Sequence, residues 1–215
     1  MAGRVILVRH SHALHNVNDD VNIPDPRLTL KGERQSVLLG RNIAPPGTKT
    51  IGTILTSPLR RSIHTTLLAF IDVIDKRFYL EGEGGIVGGA DLVLDPYLQE
   101  VDDFPCNTGS AVASLKEEWL NLDFSTLGDP SWPLKEGIFS PENHKERAQE
   151  VLGDLKNRIK VLVQAPSNES KDVVVVTHGG FMQDLTDNAR FSLGLASSKA
   201  CTIIENEEGQ LMLKV

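Results

Sequence analysis

Cysteine is scarce in this 215-residue chain: Cys106 and Cys201 are the only two, and they make neither a metal-binding spacing nor a disulfide framework. Both are expected to be reduced and structural, which fits the cytosol or the nucleus. Basic charge is also short. Lys and Arg total 22 against 29 Asp and Glu, a net charge of −7, which argues against a nucleic-acid partner held by general electrostatic attraction. Long hydrophobic runs are missing too. The run Val5 to Val8 is too short for a signal peptide or a membrane span, so no membrane partner is expected. Neither internal repeats nor linker-like stretches interrupt the chain, and residues 1–215 read as a single domain able to bury one substantial core. The stretch Glu81 to Ala90 holds five glycines, yet no Gly-Lys-Ser/Thr follows it, so it reads as a flexible insertion rather than a phosphate loop. None of these absences excludes a phosphorylated substrate, because a few arginines gathered in a cleft set the local field whatever the net charge.

What is present is an alternation of strands and helices. RVILVR (Arg4 to Arg9) and the run ending in four valines (Lys171 to Thr177) suit strands covered on both faces of a parallel sheet. Ile51 to Leu55 and Asp91 to Leu94 read as further short strands. Thr29 caps a helix that ends before Pro45 and Pro46, and Ser57-Pro58 opens another running to about Asp75. Helices are also expected over Ser110 to Leu122, over Pro141 to Gln164 and from about Phe181. Val17 to Arg27 is loop, and Cys201 to Glu205 with Gln210 to Val215 read as two edge strands joined by a turn. Such alternation predicts an α/β layered sheet, whose ligands bind beyond the carboxyl ends of the strands.

At that edge the chemistry-bearing residues collect. His10 and His178 end the two most apolar strands, so in a parallel sheet they emerge side by side. Arg9 precedes the first, and Arg60 and Arg61 stand on the first turn of the helix after the second strand, where guanidinium groups can grip a dianion. One of that pair is expected to serve only a salt bridge or a solvated face. Gly179 and Gly180 let the backbone come close to a ligand, with amides available to phosphate oxygens. Glu100 follows the third strand with Asp102 and Asp103 close by, a grouping expected to favour a protonated Glu100.

RHSHALHN (Arg9 to Asn16) resembles the Arg-His-Gly-x-x-x-x-Asn signature of the histidine phosphatase superfamily, also called phosphoglycerate mutase-like. The resemblance continues in order through LTLKGERQ (Leu28 to Gln35), TSPLRRSIHT (Thr56 to Thr65), LQE (Leu98 to Glu100) and VVVTHGG (Val174 to Gly180), and it covers nearly the whole chain. It is closer to the compact phosphatases than to the glycolytic mutases, and Pro105 to Ser110 looks most like uncharacterised fungal members. The resemblance implies a three-layer α/β/α sandwich with a mostly parallel central sheet. It also implies a phosphatase acting on a small phosphorylated metabolite, with no cofactor and no metal. His10 would be the phosphorylated nucleophile and Glu100 the acid and base; His178, expected as a cation, would surround the phosphoryl oxygens with Arg9 and Arg61, helped by Asn16 and Gly179. Ser11 departs from the family glycine and is expected either to crowd the phosphate or to donate a hydrogen bond to it. His12 departs from a common Glu or Gln.

Two other readings stand beside this one. HSHALH brings His10, His12 and His15 together in sequence, and with His178 and a carboxylate they would make a zinc site for a metal-dependent hydrolase. Arg9 and Arg61 beside a dication weigh against it. Alternatively the same fold serves binding, a mutase reaction or another chemistry, since fold and function separate readily.

Overall fold

The computed structural model describes residues 3–45, 47–165 and 171–215. Six strands, β1 (Val5–Arg9), β2 (Ile51–Thr56), β3 (Asp91–Leu94), β4 (Asp172–Thr177), β5 (Ser198–Glu205) and β6 (Leu211–Lys214), form one sheet in the order β3-β2-β4-β1-β5-β6. β3, β2, β4 and β1 run parallel, while β5 lies antiparallel to β1 and β6 antiparallel to β5. β5 is therefore an interior strand, and only β6 of the C-terminal pair is an edge. β4 inserts between β1 and β2, which brings the carboxyl ends of β1 and β4 together in a register that pairs Arg9 with Thr177.

Helices cover both faces, as the alternating sides of buried strands require. Ile6 and Val8 of β1 and Val174 and Val176 of β4 pack with Leu39 of α1 (Leu30–Ile43), Ile63 of α2 (Arg60–Ala69) and Leu115 of the short α3 (Val112–Glu118). Val5, Leu7, Val173 and Val175 face the other way, onto Leu152 and Leu155 of α4 (His144–Gln164) and Phe181 and Met182 of α5 (Gly179–Leu185). The result is the layered α/β sandwich with a mostly parallel sheet that the alternation predicts.

Several boundaries differ from the sequence expectation, each for a long-range reason. Thr29 caps α1 as expected, its hydroxyl accepting from the Gly32 amide at 3.1 Å. The expected stop at Pro45 and Pro46 lies partly outside the described residues, but α1 ends at Ile43. α2 does not start at Pro58: it starts at Arg60, whose amide donates to the Asp25 carboxylate at 2.9 Å. α2 ends at Ala69, because Ile74 and Asp75 bridge to Ala90 and Ile86. The same bridges hold the glycine-rich stretch: the Gly85 amide donates to the Ile71 carbonyl and the Ala90 amide to that of Val73, so this insertion is tied down by backbone hydrogen bonds. α3 is shorter than the expected Ser110 to Leu122. Pro141 opens a single 3-10 turn before α4. Both cysteines are free and buried, and no helix among the described residues is long and apolar enough to cross a membrane.

Candidate active site

The strand register sets the centre of the site. The His10 amide donates to the Thr177 carbonyl at 3.1 Å, and the rings of His10 and His178 come within 5.1 Å of each other, centroid to centroid. Both residues are almost fully withdrawn from solvent, at 3% and 0% exposure. Nδ1 of His10 lies 2.8 Å from the Ser11 carbonyl oxygen, which can only accept, so Nδ1 carries the proton and Nε2 keeps a free lone pair. His178 shows the complementary state. Its Nδ1 lies 3.0 Å from an Arg61 nitrogen that can only donate, so Nδ1 accepts while Nε2 bonds the Ser57 hydroxyl at 2.8 Å. Burial, followed by the nearby Arg61 charge, holds both imidazoles well below their ordinary range. The accepting Nδ1 and the lowered pKa make His178 neutral here, not the cation expected from sequence.

Arg61 is buried at 1% exposure, and its guanidinium is aimed by the Pro105–Asn107 turn: it donates to the Cys106 carbonyl at 2.5 Å and to Asn107 Oδ1 at 2.7 Å. Asn107 is in turn held by the Asp102 carboxylate at 2.6 Å. Arg9 donates to the Leu193 carbonyl at 2.8 Å, and its guanidinium lies flat against Gly179, where a Cβ would fall 3.1 Å from Arg9 Cζ. Neither arginine forms an ion pair among the described residues, and the Nε of each is buried without a partner. A guanidinium in that condition carries an unrecovered desolvation cost. Arg60 differs: it bonds Glu118, Asp25 and Ser110, the structural role expected for one of the pair.

Glu100 is fixed by backbone amides, accepting from Val101 at 3.0 Å, Gly180 at 3.1 Å and Phe181 at 2.9 Å. The Gly180 amide, one of the two expected to meet phosphate oxygens, therefore meets this carboxylate instead. Asp102 turns to Asn107 and to the Phe104 amide, so amides rather than neighbouring carboxylates surround the Glu100 oxygens.

Other expected residues lie one step away from the two rings. Asn16 accepts from the Ala13 amide and contacts His15 Nε2 at 3.0 Å, and the His15 ring stands 5.9 Å from that of His10. Burial, then Arg61, lowers the His15 pKa to about 4. The Ser11 hydroxyl accepts from Ser36 in α1 at 2.7 Å. His12 turns its Nδ1 to the Thr29 hydroxyl at 2.9 Å, so the zinc set of His10, His12, His15 and His178 is not brought together. Among the described residues no group of three or more His, Cys, Asp or Glu is placed to hold a metal ion. Sequence reasoning missed Asn107, Ser57, Arg147 and Lys135. Only Asn107 and Ser57 carried a local signal, each sitting inside a motif already singled out.

A mostly parallel six-stranded sheet covered by helices is an α/β fold like that of phosphoglycerate mutase-like proteins. The family model of the histidine phosphatase superfamily, branch 1, matches residues 5–74 of the chain. A protein of Schizosaccharomyces pombe named as a probable phosphatase is 27% identical over 179 residues, covering 81% of this chain and 73% of its own length. Phosphoglycerate mutase-like protein 1 of Arabidopsis thaliana is 23% identical over 205 residues, covering 83% and 68%. Among solved structures, a mycobacterial glucosyl-3-phosphoglycerate phosphatase in complex with VO3 superposes with a TM-score of 0.60 at 19% identity, covering 100% of this chain and 98% of that one. An α-ribazole-5'-P phosphatase assignment from Escherichia coli gives 0.55 at 18%, covering 100% and 96%. These structural likenesses speak to the fold.

Proposed function

We propose that the protein is a phosphatase that hydrolyses a small phosphorylated metabolite, a phosphomonoester, through a phosphohistidine on His10, without a metal ion. The reading is carried by one observation: two buried imidazoles and two guanidinium groups without carboxylate partners converge at one sheet edge. A phosphoryl dianion supplies the charge and the acceptors these groups lack. The phosphatase-named relatives support the reaction class.

In the first half-reaction, Nε2 of His10 attacks phosphorus while the bond to the leaving oxygen breaks and Glu100 gives that oxygen a proton. The charge that builds on the ring is eased by the Nδ1–H donated to the Ser11 carbonyl. In the second, ionised Glu100 takes a proton from water, the water oxygen attacks phosphorus, the N–P bond breaks, and orthophosphate leaves with His10 neutral again. Arg9, Arg61 and His178 neutralise the transferring oxygens throughout. Asn16 steadies His15 beside the nucleophile, and Gly179 leaves room for Arg9.

The test is His10→Ala with p-nitrophenyl phosphate and no bisphosphate primer. Turnover is expected below about 1% of wild type. Acid-labile, alkali-stable label from radioactive substrate is expected on the wild type alone. Substantial turnover by the variant removes the reading, and loss of wild-type turnover in chelator removes its metal-free part.

A further inference from the structure

A buried lysine beside Glu100 is left unused by this chemistry. Lys135 is only 6% exposed, and its ammonium donates to the main-chain carbonyl of Glu100 at 2.6 Å, its single hydrogen bond among the described residues. Arg147 of α4, at 0% exposure, donates to the same carbonyl at 3.1 Å. Neither cation forms an ion pair among the described residues. Burying one unpaired ammonium is costly, and here the backbone adds to the cost, because Lys135 sits at a φ of 58°.

The loop is anchored to deliver it. Trp132, fully buried, is held through its carbonyl by the Gln99 side chain at 3.2 Å and lies so close to Gly109 that a Cβ there would fall 2.1 Å from the indole. Gln99 adjoins Glu100, so one brace ties Glu100 to the segment that carries Lys135. The charged groups facing the ammonium come from every side: Arg147 from α4, Glu100 and Asp102 after β3, and Arg61 from α2, with His178 at the end of β4 also feeling it. Burial, then Arg147, lowers its pKa to about 7, so its charge is weakly held until an anion joins it.

We infer that Lys135 is a positioning residue for Glu100, fixing the acid against the leaving oxygen and setting a positive charge beside the carboxylate that proton donation leaves behind. This rests on the proposed phosphatase reaction. It gives the site a leaving-group side, Glu100 with Lys135, distinct from the phosphoryl side formed by the arginines and imidazoles.

The experiment uses Lys135→Met, Lys135→Arg, Glu100→Gln and the double variant Lys135→Met with Glu100→Gln, assayed on aryl and alkyl phosphates of rising leaving-group pKa. For Lys135→Met, the fall in kcat is expected to be at least about tenfold greater for an alkyl phosphate than for 2,4-dinitrophenyl phosphate, with KM little changed. Lys135→Arg is expected to recover most of the loss, and the double variant to be no slower than Glu100→Gln alone, since the lysine acts through the glutamate. Equal losses across leaving groups, additive losses in the double variant, or no loss at all would overturn the proposal. If Lys135→Met fails to fold, the Lys135→Arg leaving-group slope decides alone: a slope as steep as that of Glu100→Gln overturns it. The phosphohistidine reading fails separately, through dinitrophenyl phosphate turnover that survives His10→Ala.

Discussion

A neutral His178 facing Arg61 means that an arriving anion changes the proton content of the site. In the free protein the imidazole lies well below its ordinary range, and a dianion between the two side chains favours its protonated form. The sign follows: binding takes up a proton, so affinity is greatest on the acid side and falls as pH rises through the pKa of the bound state. Sulfate does not titrate near neutrality and isolates the effect. Calorimetry at pH 6.5 in buffers of different ionisation enthalpy is expected to show uptake of about one proton per sulfate, and much less in His178→Asn. Uptake of none in the wild type would place the anion elsewhere. Ser11 shows the opposite lesson at the same scale: its hydroxyl is tied to Ser36 of α1 by a hydrogen bond that no local reading could supply.

Two close approaches at the level of elements separate stability from chemistry. A Cβ on Gly32 would lie 2.0 Å from the His12 carbonyl oxygen, and one on Gly40 would lie 1.8 Å from that of Ala69. Both push on backbone, so Gly32→Ala and Gly40→Ala should each destabilise by roughly 2 kcal/mol or more, measured by chemical denaturation. Only Gly32→Ala moves α1 against the loop that follows His10. It alone is expected to lower kcat for p-nitrophenyl phosphate, by about tenfold or more at temperatures where both variants are folded. Equal kcat in the two would detach that loop's position from catalysis. The legibility of the sequence divides along the same line. β1, β4 and the Thr29 cap were readable because their causes lie within a few residues: apolar runs, a hydroxyl three positions from an amide. The start of α2 was not, because Asp25, 35 residues away, caps it. His10, Arg61 and His178 were legible as motif residues, whereas Lys135 reaches Glu100 across 35 positions with no periodic or motif signal near it.

Over the whole molecule, a net charge of −7 coexists with a pocket of buried, unneutralised cations. The folded state therefore carries a local electrostatic deficit that an anion bound there would relieve. Orthophosphate at about 100 times its Kd should raise stability by ~2.7 kcal/mol, or roughly 5–10 °C in Tm for a chain of this size. An unchanged Tm at saturation would mean that the pocket does not hold phosphate. Of the arguments from composition, the one for the cysteines meets the structure: both are free and buried.

The pairing of Arg9 with Thr177 sets the separation between His10 and His178 by the pitch of neighbouring strands, about 4.8 Å, and not by any loop. A loop such as 17–27 can diversify over evolutionary time while the spacing of the two imidazoles stays constant.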